Sequence, residues 1–190
     1  YLEAFDQYGN GWNVIGSATF TSNGGGAFVG NLLVSFQFGT YTITGQYVGL
    51  ATTTTIFINH ATATSISISP MNGSMTAGNK VVYQVTASDG CGSYWNVSGS
   101  TTFTSNNGEF INNEFSCTTA GSYLITANHE GLSSTTNVTV NHASITTLSI
   151  APVDTVITAG ESVNYQATAT DSYSNQWDVT NITALTTSGG

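Results

Sequence analysis

Arginine is absent from this 190-residue chain, and Lys80 is its only lysine. Three histidines stand against ten acidic residues, and the formal net charge is −9. Nucleic acids and anionic membranes are gripped by clusters of Lys and Arg, and no such cluster can form here. The same lack removes almost every site for trypsin-like cleavage, which suits life outside a cell. A lysine–asparagine isopeptide brace needs one lysine per domain, so at most the domain holding Lys80 could carry one; the residue one period later is Ser162. Charged residues of every kind make up 6%, against roughly 25% in an average globular domain. Low charge accompanies disorder only when apolar content is also low, and here 39% of residues are hydrophobic and 11% aromatic. No run of about 18 apolar residues exists, so no membrane-spanning helix is expected. The chain opens on Tyr1 without Met or a leader pattern, as expected of a processed product or a part of something longer.

What is present is an internal repeat. Val81-Val82-Tyr83-Gln84-Val85-Thr86-Ala87-Ser88-Asp89 recurs as Val163-Asn164-Tyr165-Gln166-Ala167-Thr168-Ala169-Thr170-Asp171, an offset of 165 − 83 = 82. Tyr1 to Asp6 is a third, shortened version. In each version a Trp follows the Asp by six positions: Asp6 to Trp12, Asp89 to Trp95, Asp171 to Trp177. Gly39-Thr40-Tyr41 matches Gly121-Ser122-Tyr123, and Asn59-His60-Ala61 matches Asn141-His142-Ala143. The expected organisation is a partial repeat over 1–61 that lacks its opening strands, a complete repeat over 62–143, and the first half of another over 144–190.

Within a repeat the hydrophobic period is two, which marks strands. Ile66 and Ile68 alternate with serines; Val81, Tyr83, Val85 and Ala87 alternate with polar neighbours, as do Tyr123, Ile125 and Ala127, then Val138 and Val140. Gly, Asn, Asp and Ser cluster between the runs as turn formers. Short strands at this spacing over about 80 residues predict an all-β fold of tandem immunoglobulin-like β-sandwich repeats. The expected core markers are Trp12, Trp95 and Trp177, with Tyr41 and Tyr123 as tyrosine corners bonding back to the backbone. The usual inter-sheet cysteine pair is replaced by Val85 or Ala87 and Ile125.

The pattern Ile-x-Pro, Thr-Ala-Gly-x-x-Val-x-Tyr-x-x-x-Ala-x-Asp, Trp-x-Val, Ala-Gly-x-Tyr-x-Ile-Thr-Ala, Gly-Leu and Val resembles the bacterial Ig-like (Big) repeats of invasin and adhesin type. The resemblance covers the whole chain. It implies tandem display on a bacterial or archaeal surface, as stalk, spacer, adhesin or enzyme appendage.

No catalytic constellation is visible. The acids are scattered, no carboxylate pair recurs between repeats, and neither a Ser-His-Asp arrangement nor a zinc spacing occurs. An enzyme is therefore not expected, and no cofactor is implied. Cys91 and Cys117 are gained together in one repeat; their first-repeat counterparts are Tyr8 and Ser35, and the third carries Tyr173 opposite Cys91. Paired gain fits a disulfide closing a loop of 117 − 91 = 26 residues, a link contributing roughly 3 kcal/mol in an oxidising compartment. Two unrelated thiols are the alternative. Four Asn-x-Ser/Thr sequons, at Asn72, Asn96, Asn137 and Asn181, are acceptors only where the chain is exported in a glycosylating organism. In a chain so rich in Asn, Ser and Thr they also arise by chance.

The Asp before each Trp lies in the loop where the previous linker should enter. Asp89 is expected near Asn59 and His60, with Glu130 at the same end, and Asp171 near Asn141 and His142. Oxygen ligands there could hold Ca²⁺; turn capping plus a linker hydrogen bond is the competing expectation. Tyr8, Tyr94 and Tyr173, in the same loops, either offer an aromatic face to a glycan or pack on the neighbouring repeat. The linker, from Val140 through Asn141-His142-Ala143 to Leu148, holds no flexible spacer. The function expected is a structural segment of an extracellular fibre, stalk or surface layer. An adhesin binding glycans or cell-surface proteins, or an accessory module of a secreted enzyme, are the rivals. The expected partners are copies of the chain, through donor-strand exchange, or neighbouring repeats of a continuous longer chain, the version favoured by the overlap between Tyr165–Gly190 and the chain's opening residues.

Overall fold

The computed structural model describes residues 1–35 and 37–188. Short strands dominate; the described residues include two 3-10 turns, Ser98–Ser100 and Thr180–Ile182, and no α-helix. Contacts divide the chain into two compact units: Tyr1–Ile66 with Thr86–Trp95, and Ser67–Val85 with Asn96–Gly190.

Two long hairpins show how local sequence sets the fold. Gly39–Tyr47 pairs antiparallel with Leu50–Ile58, and Gly121–His129 with Leu132–Asn141. Thr, Val and Ile favour the pleated backbone because branching at Cβ packs well there. The connecting pairs Val48-Gly49 and Glu130-Gly131 all have positive φ, at 47° and 79°, then 47° and 82°. That is the two-residue hairpin turn whose twist matches the strands, and it puts Glu130 at an exposed turn tip.

In the second unit, the four-stranded sheet runs Thr102–Ser105, Gly121–His129, Leu132–Asn141, Gly73–Thr76. Its last pair is parallel, with Val138 opposite Gly73 and Val140 opposite Met75. A three-stranded sheet orders Lys80–Val82, Glu114–Ser116 and Glu109–Ile111. Every second residue turns inward: Tyr123, Ile125, Ala127 and His129 on one strand, Thr136, Val138 and Val140 on the next. Tyr83, Val85, Phe115, Ile125, Val138 and Val140 are each less than 2% exposed. Phe110 stacks on Phe103 and meets Phe115 at a tilt, with ring centroids at 5.2 and 5.1 Å. Each fully buried side chain of this size is worth about 1.5–3 kcal/mol. Lys80 pairs with Glu114 at 2.5 Å. Beyond the core, Ile145–Ala151, Gln166–Asp171 and Gln176–Asp178 form a three-stranded antiparallel sheet.

The first unit repeats this plan in part. Thr19–Ser22 joins the long hairpin, Gly26–Val29 pairs with Leu32–Ser35, and Glu3–Phe5 with Gly11–Asn13. Phe20 stacks on Phe28 at 5.7 Å. Leu50–Ile58 stays largely exposed, unlike its counterpart Leu132–Asn141.

Both tyrosine corners form. The Tyr123 hydroxyl donates to the Thr119 carbonyl at 3.0 Å, and Tyr41 donates to the Phe38 carbonyl at 3.1 Å. Gly121, at φ +157°, lies under the Tyr123 ring, where a Cβ would come within 3.0 Å of the hydroxyl. The tryptophans depart from expectation. None fills a sandwich centre: Trp12 is 46% exposed, and Trp95 and Trp177 are half-buried. Tyr83 and Phe115 take the central space in the second unit, while Trp177 sits opposite Ala169 at the margin of the small cluster Ala167, Ala169 and Val179.

Candidate functional site: the repeat joints

The loop after each Asp is a self-contained knot. Asp171 Oδ1 accepts the N–H groups of Tyr173 at 2.9 Å and Asn175 at 3.0 Å, while Oδ2 accepts Asn175 Nδ2–H at 2.8 Å. Asp89 Oδ1 accepts the N–H groups of Cys91 and Ser93, both at 2.9 Å. Asp suits this position because its short carboxylate reaches backbone donors two and four residues on.

The same carboxylates hold the incoming linker. Asp89 Oδ2 accepts the Ala61 N–H at 2.9 Å, and Asp171 Oδ2 accepts the Ala143 N–H at 2.8 Å. The residue before each Ala lays its imidazole on the loop's Trp. His60 stacks on Trp95 with centroids 3.7 Å apart and planes 9° apart; His142 stacks on Trp177 at 4.0 Å and 23°. Thus the Trp residues belong to the joints. Each joint lies wholly inside one unit.

Each joint adds one further contact of the same type. Ser93 Oγ accepts the Phe38 N–H at 3.4 Å, and Asn175 Oδ1 accepts the Ala120 N–H at 2.8 Å. Phe38 and Ala120 are one period apart, 120 − 38 = 82. At the second joint Asn175 Nδ2 also donates to the Thr118 carbonyl at 2.8 Å. Tyr173 lies over Gly78, at φ +84°, where any Cβ would collide with the phenol. Sequence reasoning named Tyr173 but missed Ser93 and Asn175. The recurrence of Asp-x-Tyr-x-Asn-x-Trp at 6–12 and 171–177 was the available signal.

Electrostatics follow the hydrogen bonds. Burial pushes the Asp171 carboxyl up, but the Asn175 side chain and the N–H groups of Ala143, Asn175 and Tyr173 outweigh it and bring the pKa down to about 2. For Asp89 the Ser93 N–H leads, opposed by burial and joined by the Ala61 and Cys91 N–H groups, and the net shift is downward. Both carboxylates are therefore anionic over any ordinary pH range.

The other expected site residues fall elsewhere. Asn141 ends its strand opposite Thr76 and its carbonyl accepts the Ala77 N–H at 2.8 Å; Asn59 is exposed at the matching strand end. Glu130 is consumed by its hairpin turn. Among the described residues no group of three or more His, Cys, Asp and Glu gathers as a metal site, and both oxygens of Asp89 and Asp171 face N–H donors. Cys91 and Cys117 are free thiols rather than the expected disulfide. Each has its own surroundings: Cys91 is exposed with its N–H bound to Asp89, and Cys117 is buried with its Sγ–H directed at the Thr119 carbonyl at 3.4 Å. Asn72, Asn96, Asn137 and Asn181 are all exposed.

No known family model matches the chain. It is 28% identical over 177 residues to Ice-binding protein 1 of Shewanella frigidimarina (strain NCIMB 400), a match spanning 91% of this chain but 19% of that protein. Among solved structures it is similar to surface layer protein SbsC, domains 4–9, at 20% identity and a TM-score of 0.33, covering 94% of this chain and 32% of that one. It is also similar to InvD of Yersinia pseudotuberculosis, at 14% identity and a TM-score of 0.49, covering 85% and 61%.

Proposed function

We propose that this chain is a non-catalytic structural segment of an extracellular bacterial or archaeal surface protein, in which Ig-like repeats over 1–61, 62–143 and 144–190 stack end to end as a semi-rigid fibre or stalk. One observation carries the reading: the Asp-to-linker bond and the His–Trp stack occur twice, in the same places, one period apart. A linker tied through Ala61 or Ala143 to the next repeat cannot swing as a flexible tether does. The neighbours in such a fibre are further repeats of a continuous chain. The carboxylate oxygens of Asp89 and Asp171 accept N–H donors, which favours turn capping with a linker hydrogen bond over a Ca²⁺ site.

Residual dipolar couplings test this. The reading expects one shared alignment tensor for the core amides of successive repeats, and separate tensors after Asp89→Asn and Asp171→Asn. Independent tensors in the unaltered chain would sink it.

A cleft of about 540 Å³ beside Tyr173, lined by Lys80, Asn107, Glu109 and Thr118 among others, favours a second reading as a glycan-binding adhesin. An aromatic face beside polar groups is what sugars contact. A glycan array on which the chain binds nothing would remove this reading.

A further inference from the structure

The loop Asp6–Trp12 is folded like the loop of the second joint. Asp6 Oδ1 accepts the N–H groups of Tyr8 at 2.9 Å and Asn10 at 3.0 Å, and Oδ2 accepts Asn10 Nδ2–H at 2.8 Å. These three bonds reproduce those of Asp171 with Tyr173 and Asn175 to within 0.1 Å. In the second joint this loop is in use: Tyr173 covers Gly78, Asn175 grips Thr118 and Ala120, and Trp177 carries His142. At the first loop the same side chains are bare, with Tyr8 79% and Trp12 46% exposed, and Asn10 exposed as well.

The two joints also differ in their contacts. At the first joint Ser93 Oγ takes the Phe38 N–H while the Phe38 ring lies against Phe57 and His60; at the second, Tyr173 lies over Gly78 and Asn175 takes the Ala120 N–H. Close packing allows bulk on one side only. A Tyr-type loop therefore needs glycine beneath its phenol, because any Cβ at Gly78 would collide with Tyr173, and a Cys/Ser loop at such an end would lose that contact and the amide bond to the Thr118 carbonyl.

We propose that Tyr8, Asn10 and Trp12 form a docking face for the end of another Ig-like repeat of the Gly/Ala kind. That end supplies a glycine turn like Gly78, a carbonyl and an N–H two residues apart like Thr118 and Ala120, and a linker imidazole like His142. The proposal rests on the stacked-repeat reading and adds the identity of the mating surface.

The test is an extended chain, residues 62–165 followed by the full 1–190, so that Tyr1 takes the place of Gln166 and Asp6 that of Asp171. Hydroxyl-radical footprinting with mass spectrometry reads Tyr8, Trp12 and Tyr173. In the chain alone, Tyr8 should label more than Tyr173 in line with exposures of 79% and 45%, close to twofold. In the extended chain Tyr8 should fall to the level of Tyr173, and Trp12 to that of Trp177. Gly78→Val in the added segment, whose Cβ would collide with the phenol, should abolish the protection. Because that change could unfold the added repeat, Tyr8→Cys with Asn10→Ser serves as a second variant; both side chains are exposed, and Trp12 should label as in the unextended chain. Unchanged labelling of Tyr8 and Trp12 on extension overturns the proposal, as does protection that survives both variants. Protection of Tyr8 gained by concentrating the unextended chain would assign the face to a second copy and overturn it too. If Tyr173 of the unextended chain labels as strongly as Tyr8, the stacked-repeat reading itself falls; if Tyr173 is protected and Tyr8 stays bare, only this inference does.

Discussion

Removing one amide should loosen the second joint far more than the first. Asn175→Ala deletes two hydrogen bonds to the preceding repeat, to the Thr118 carbonyl and from the Ala120 N–H, both 2.8 Å. Each such bond is worth about 0.5–1.5 kcal/mol net, so the pair contributes about 2 kcal/mol. That is roughly a 30-fold change in the equilibrium between closed and open joint. Ser93→Ala, the corresponding change at the first joint, deletes one bond of 3.4 Å. It should shift the first joint by less than about threefold, since long hydrogen bonds are weak. Amide hydrogen exchange reads both. The useful probes are the Ala143 and Ala61 N–H groups, because their acceptors, Asp171 and Asp89, keep their backbone N–H partners in both variants while Asp171 Oδ2 loses only the Asn175 side chain. Exchange at Ala143 should speed up by more than tenfold in Asn175→Ala, while exchange at Ala61 in Ser93→Ala barely moves. Equal acceleration at the two joints, or none at Ala143, would refute the idea that the extra amide contacts hold the joint shut.

Three further outcomes are expected. The Tyr83 phenol oxygen is buried without a hydrogen-bond partner among the described residues, so Tyr83→Phe should stabilise the fold by about 1 kcal/mol, seen as a higher urea midpoint; a lower midpoint would mean that the hydroxyl is satisfied. The Asp171 pKa, lowered to about 2 in the folded chain, lies below the value of about 3.9 for an unfolded Asp. Its stabilisation is therefore complete above about pH 4 and is lost as pH falls through 2. Thermal melts should show that slope in the native chain and a flatter one in Asp171→Asn. Finally, a thiol reagent should modify exposed Cys91 at once and buried Cys117 only on unfolding; two unreactive cysteines that become reactive on reduction would restore the disulfide.

Much of this was written locally in the chain. Alternation in Tyr123, Ile125 and Ala127 fixes which residues face inward, because side chains on a strand alternate sides whatever the fold. Gly39 and Gly121, each two residues before a tyrosine, announce the corners. Glycine after Val48 and Glu130 dictates the hairpin turns. The 82-residue offset placed His60 and His142 in equivalent linkers before any coordinate was known. The role of the tryptophans was decided by tertiary structure alone. Period-two reasoning says which face of a strand a Trp occupies but not which distant residue reaches that face first. Tyr83 and Phe115 fill the core in the second unit, and Trp95 and Trp177 each receive a linker imidazole instead. Likewise the pairing of Asn175 with Thr118 and Ala120 joins residues 57 and 55 positions apart. Such contacts depend on how one repeat is set on the next, and local propensity carries no information about that.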